Sequence, residues 1–258
     1  MTHSAGATKT SYSLRAAVVR TVVSGAILNV FAIVLAYFAY WFDLGVSLLP
    51  GRISIAIAAV CLGGPLLILL LFRRSTSLVI VGIVKLLGAL SIYALIGITF
   101  YFFFFAFAPM PDRAHLVSLA MGAALTGYWL AFSYVDLRRF IRHSTFVDRA
   151  FDASGNAIVC DDRLFEIFED MYEQKTAFSI WHTRIVMAIV PVLLVPYQVA
   201  TFFFGTQGLL FFVAAITFPV SLWVVGAMLR IAIVMILVPA ALQRQSGKQV
   251  LLGPTAWF

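Results

Sequence analysis

The chain has 258 residues, 62% hydrophobic and 11% charged, where a soluble domain carries roughly half apolar and about a quarter charged residues. Such a composition excludes a water-soluble globule, which would expose large apolar patches, and points to a lipid solvent. With 18 Lys and Arg against 11 Asp and Glu, the net charge is +7; in a membrane protein the placement of these cations decides their meaning, and here it gives no ground for a nucleic-acid partner.

In chain order, residues 1–16 read as a mobile cytoplasmic tail, rich in Ser and Thr and without apolar periodicity. The first apolar run is too long for a signal-peptide core and has no small-residue cleavage site, so it reads as a retained signal anchor. A bilayer is crossed by about 20 apolar residues in a helix. Six stretches qualify: 21–42, 53–72, 78–107, 116–135, 185–204 and 209–229. They are continuous rather than alternating, which favours helices over a barrel. The expected fold is all-α: a polytopic membrane helical bundle with six transmembrane helices and a short cytoplasmic helical loop insertion. Its parts are four spans in 17–135, an acidic cytoplasmic loop in 136–184, and two spans with a cytoplasmic C-terminal segment in 185–258.

Six spans put both termini on one side. Sixteen of the 18 basic residues then fall on that side, and only Arg52 and Arg113 on the other. That asymmetry predicts cytoplasmic termini, in a bacterial inner (plasma) membrane. Lys85 lies early in the third stretch, where its stem can snorkel to the interface. After Arg230 the apolar character resumes over 231–242, so the sixth helix either protrudes or gives way to an interfacial segment.

The loop holds nine of the eleven acids. Asp161 or Asp162 is placed to cap a helix running to about Gln174. Its apolar face is Leu164, Phe165, Phe168, Met171 and Tyr172; Glu166, Glu169, Asp170 and Glu173 form an acidic face at spacings of three and four. Arg138, Arg139 and Arg142 share a face on the cytoplasmic extension of the fourth span. One reading packs the apolar face under the bundle, with the acids in water or paired to these arginines. Another makes the acids and arginines a docking surface for a partner; a third is a divalent-cation site. Between the helices, Phe151 to Cys160 with Ser154, Gly155 and Asn156 reads as a small hairpin.

The spans carry no acid and no histidine cluster, so paired haem ligands, a carboxylate relay and protease chemistry lack their residues. Ser24, Ser91, Ser118 and Ser133 have no base near them in the spans and read as packing or hydrogen-bonding groups. No enzyme and no cofactor is expected, and Cys61 and Cys160 are expected to be free thiols. Small residues recur on one face in three helices: Gly25, Asn29, Ala32 and Ala36; Ala56, Ala59 and Gly63; and Ala120, Ala123 and Gly127. These stripes read as internal packing or, alternatively, as contacts in a homo-oligomer or membrane complex, with Asn29 hydrogen-bonding across its contact. Pro65, Pro191, Pro196 and Pro219 are expected to interrupt the second, fifth and sixth spans. The polar groups near them make Gln198 and Thr201, with Asn29, the residues of a possible membrane-depth site. The aromatic run Phe100 to Phe107 is expected in lipid or against another subunit, and Val250 to Phe258 on the membrane surface or a partner.

The function these features favour is a non-enzymatic inner-membrane subunit that docks or senses a cytoplasmic partner through the acidic loop. The alternative is a channel or transporter formed by the bundle or its homo-oligomer.

Overall fold

A computed structural model describes residues 14–73, 75–153, 157–161, 163–172, 184 and 194–252, the side chains of 194–204 and 206 excepted. Helix α1 is Leu14–Asp43, α2 Leu49–Leu71, α3 Leu78–Phe107 and α4 Asp112–His143. A short helix α5, Phe146–Ala150, leads into strand β1, Phe151–Asp152, and strand β2, Ile158–Cys160. The loop helix α6 is Leu164–Met171. Helical backbone resumes at Leu194 and is broken at Gly205, giving α7 (194–204) and α8 (Gln207–Ser246), before strand β3, Val250–Leu252. Among the described residues, five helices are long and apolar enough to cross a membrane, so this is an integral membrane protein built as a helical bundle. Of the predicted fifth span, 185–193 lies outside the described residues.

The first, fourth and sixth predicted stretches fall inside α1, α4 and α8, which are longer than the apolar runs that announce them, and the third coincides with α3. Leu14 to Ala16, placed with the tail by sequence, already belong to α1, and Leu14 is buried at its start. Beyond Arg230, α8 continues through a π-helical stretch, Ala232–Leu237, and ends at Ser246, so 231–242 extends the same helix. Gly247, at φ 69°, closes it in the left-handed conformation that suits glycine.

Two expectations about breaks are corrected. Pro65 lies inside an unbroken α2 and Pro219 inside an unbroken α8. The break falls instead at Gly205, whose φ of 58° and ψ of −150° only glycine adopts readily. Pro191 and Pro196 lie outside the described side chains.

Packing corrects the small-residue stripes as well. Gly25, Asn29, Ala32 and Ala36 do form the buried face of α1. There the Asn29 amide donates to Ser91 Oγ of α3 at 3.0 Å and to the Gly25 carbonyl at 2.8 Å. In α2, however, Ala56, Ala59 and Gly63 are exposed, and the buried face is Ser54, Ala58, Cys61 and Pro65. In α4, Ala120, Ala123 and Gly127 are exposed, and Gly122, Trp129, Ser133 and Leu137 face inward. Small size alone does not tell the inner face from the lipid face, because lipid accepts alanine and glycine without penalty.

The aromatic run of α3 packs inside the protein, not in lipid. Tyr101, Phe103, Phe104 and Phe105 are all buried. Tyr101 stacks on Phe218 of α8 with ring centroids 4.1 Å apart, and Phe103 meets Tyr40 of α1 edge to face at 6.1 Å. Around it α3 is π-helical from Ala94 to Phe102, and the Thr99 carbonyl accepts the Tyr40 hydroxyl at 2.9 Å. This end of the bundle is a filled aromatic core.

At the opposite end the bundle is closed by the loop. β1 pairs antiparallel with β2, as the hairpin reading predicted, and β2 pairs in parallel with β3. The C-terminal residues Val250 to Leu252 therefore complete a sheet rather than resting on a membrane surface; 253–258 lies outside the described residues. The Leu252 amide also donates to the Thr76 carbonyl at 3.0 Å, tying the sheet to the α2–α3 connection. A single core runs through this end, joining Val18 of α1, Val81 and Val84 of α3, Leu137 of α4 and Val234 of α8 to Phe146, Ile158 and Phe168 of the loop.

Candidate functional site

The loop helix is set by its apolar side chains. Leu164 and Phe168 are buried, with Phe168 at 1% exposure, and burying a phenylalanine stabilises by roughly 2–3 kcal/mol. Phe168 meets Phe140 of α4 and Phe146 of α5 edge to face, each at 5.5 Å, and stacks on Tyr172 at 5.0 Å. The Tyr172 hydroxyl donates to Asp136 Oδ2 of α4 at 2.7 Å. Burial, and secondly this bond to a carboxylate, push the Tyr172 phenol well above its usual range; the nearby Arg230 charge opposes the shift. On the bundle side, the Lys85 ammonium of α3 lies 4.8 Å from the centre of the Phe165 ring. The side chain expected to snorkel to the interface thus grips the loop helix by a cation–π contact.

With the apolar face locked inward, Glu166, Glu169 and Asp170 are exposed on the other side of α6. Arg138, Arg139 and Arg142, on the last turns of α4, are exposed too. Among the described residues no ion pair joins the two sets; the acid that does pair is Asp161, 3.6 Å from Arg163. Asp161 does not cap the helix by its side chain. Its Oδ1 accepts the Arg163 amide at 2.8 Å in a turn just before α6, which starts later and ends earlier than its spacing predicts. Asp162, Glu173 and Gln174 lie outside the described residues. No three His, Cys, Asp or Glu side chains converge as a metal set among the described residues.

A second feature escaped the sequence. Between α4 and α8, beneath Tyr172, lies a cavity of about 20 Å³ lined by Trp129, Ser133, Tyr172, Trp223, Gly226 and Arg230. A Cβ on Gly226 would come 3.2 Å from the Trp129 indole nitrogen, so glycine makes room for that ring. Ser133 is 4% exposed, and its hydroxyl has no hydrogen-bond partner among the described residues. The signal was present in two helical stripes, Trp129–Ser133–Leu137 and Trp223–Gly226–Arg230. It was hidden because Arg230 passes for the end of a span, when the helix runs on another sixteen residues to Ser246.

The candidate polar groups at membrane depth do not come together among the described residues. Asn29 is engaged with Ser91, as above, and the Thr217 and Ser221 hydroxyls bond carbonyls of their own helix, Ser221 to Phe218 at 2.7 Å. The side chains of Gln198 and Thr201 lie outside the described residues. Cys61 and Cys160 are both buried, and no disulfide joins them. Comparison with protein-family models, with characterised proteins and with solved structures gives no match.

Proposed function

We propose that the chain is a non-enzymatic subunit of a bacterial inner membrane, whose bundle anchors a cytoplasmic module and whose module docks a basic partner through Glu166, Glu169 and Asp170. The observation that carries this reading is the exposure of three carboxylates, in no ion pair among the described residues, on a helix whose other face is fixed in the core. A charged face held by a rigid scaffold is suited to steering and orienting a partner, since exposed charges specify contacts more than they stabilise a fold.

The same reading includes six spans and cytoplasmic termini. The N-terminal turns of α1, residues 75–77, the loop elements α5, β1, β2 and α6, and strand β3 meet at one end of the bundle, and Arg15, Arg20, Arg149 and Arg163 lie in or next to these segments with Arg138, Arg139 and Arg142 on the adjoining turns of α4. The α7 backbone, ending at Gly205 near Pro109 of the opposite end, supplies the second half of the fifth span. The exposed stripes Ala56–Ala59–Gly63 and Ala120–Ala123–Gly127 leave α2 and α4 open to a second copy or a membrane-complex partner.

Conduction is the weaker reading because Asn29 is spent on an interhelical bond and the far end of the bundle is packed with aromatic rings. A photo-crosslinking side chain at Glu169, in intact cells, tests the docking reading against a control at lipid-facing Val23. A discrete adduct from Glu169 alone supports docking. Labelling of lipid alone from both positions contradicts it.

A further inference from the structure

The cavity between α4 and α8 has the makings of a binding site that the docking reading does not use. Ser133 brings a hydroxyl that is buried and, among the described residues, has no partner; leaving such a group unsatisfied is costly, and a ligand atom repays it. Arg230 brings a permanent positive charge, half-buried, with no carboxylate at ion-pair distance among the described residues. Asp136 accepts the Tyr172 hydroxyl. An anion with a free oxygen therefore matches the site in both charge and hydrogen bonding.

Size and depth narrow the class. About 20 Å³ accommodates one oxygen-sized atom, not a whole phosphate. The wall residue Trp223 is 54% exposed, so the cavity is reached from the lateral surface of the bundle. Ser133 sits at the end of the apolar stretch of α4, with exposed Arg138, Arg139 and Arg142 following on the same helix. Arg230 ends the apolar stretch 209–229 of α8. On α4 the chain thus changes from apolar to basic at the level of the cavity, and on α8 Arg230 is a single cation between the apolar stretches 209–229 and 231–242, a setting in which tryptophan and arginine anchor to headgroups.

We propose that this cleft seats the phosphate of an anionic phospholipid. One phosphoryl oxygen enters the cavity and accepts from the Ser133 hydroxyl, the Arg230 guanidinium pairs with the remaining charge at the mouth, and the Trp223 ring lies along the glycerol and upper acyl chain.

The test uses the full chain, purified in lipid-poor detergent and titrated with phosphatidylglycerol, with phosphatidylcholine of the same chains, and with inorganic phosphate. Bound lipid is read by native mass spectrometry and stability by melting. Phosphatidylglycerol is expected to bind and to raise the melting temperature well above the effect of either control. Arg230→Gln should weaken it about tenfold, while Arg244→Gln, at the exposed end of α8, leaves it unchanged. Ser133→Ala should weaken it several-fold yet not lower the melting temperature of the lipid-free protein, because the hydroxyl has no protein bond to lose. Wild-type affinity in both variants, or equal binding of phosphatidylcholine, overturns the site. An equal effect of inorganic phosphate overturns the lipid as its source.

Discussion

Removing the Tyr172 hydroxyl by Tyr172→Phe takes the only described donor from Asp136 Oδ2 and loosens the loop from α4. The expected loss is about 1–2 kcal/mol, read as a lowered melting temperature in detergent. The same group makes stability fall at alkaline pH. Its folded pKa is raised, so the neutral phenol is favoured in the native state and the contribution is intact below the unfolded value of about 10, then lost as pH rises beyond it. Wild type should therefore lose more stability between about pH 10 and pH 12 than Tyr172→Phe does; parallel curves would remove Tyr172 from the account. Phe168→Asp puts a charge at a 1% exposed position and should cost several kcal/mol. Glu169→Ala, fully outside the core, should leave melting unchanged. Equal losses from the two would mean that the acidic face is also packed.

Among the elements, Gly82 and strand β3 bear most on how the module is held. A Cβ on Gly82 would fall 2.8 Å from Met235 Cβ and 3.0 Å from the Met235 carbonyl, so α3 and the π-helical part of α8 touch backbone to backbone there. Gly82→Val should destabilise by about 1–3 kcal/mol through overpacking, whereas Gly63→Ala, with open space around it, should be silent in the same melting assay. Ending the chain at Gly247 removes β3, leaves the edge of β2 unpaired and uncovers the core around Ile158 and Cys160. Limited proteolysis should then cut the 151–172 segment faster while the spans resist. Unchanged cleavage would show that β3 merely rests against the sheet.

These elements also show what was readable in advance. The spans and the amphipathic α6 were legible because apolar run length and a 3.6-residue period are local signals, and Phe168 and Leu164 fell on the predicted face. The hairpin was legible from its Ser-Gly-Asn turn residues. β3 was not, because its partner lies about ninety residues away and three apolar residues between Gln249 and Gly253 carry no trace of pairing. The inner faces of α2 and α4 were missed for a different reason: in lipid, hydrophobicity no longer separates inside from outside, so Ala120 and Gly122 look alike in sequence and only packing tells them apart. The Ser133–Arg230 cavity needs two helices in register, which no single-helix pattern encodes.

For the whole molecule, the account stands on which end of the bundle faces the cytoplasm and on what the acidic face does there. A cysteine introduced at Gly155, in a chain whose own Cys61 and Cys160 are buried, should resist an impermeant thiol reagent in intact cells and react after lysis; reaction before lysis would invert the topology. The most direct measurement of the central claim is the size of the complex extracted from native membranes in mild detergent, for wild type and for Glu166→Lys, Glu169→Lys and Asp170→Lys combined. The reversal should release the partner while the melting temperature of the bundle is kept, because these side chains are exposed and make no ion pair among the described residues. A complex of unchanged size and composition after the reversal would contradict it.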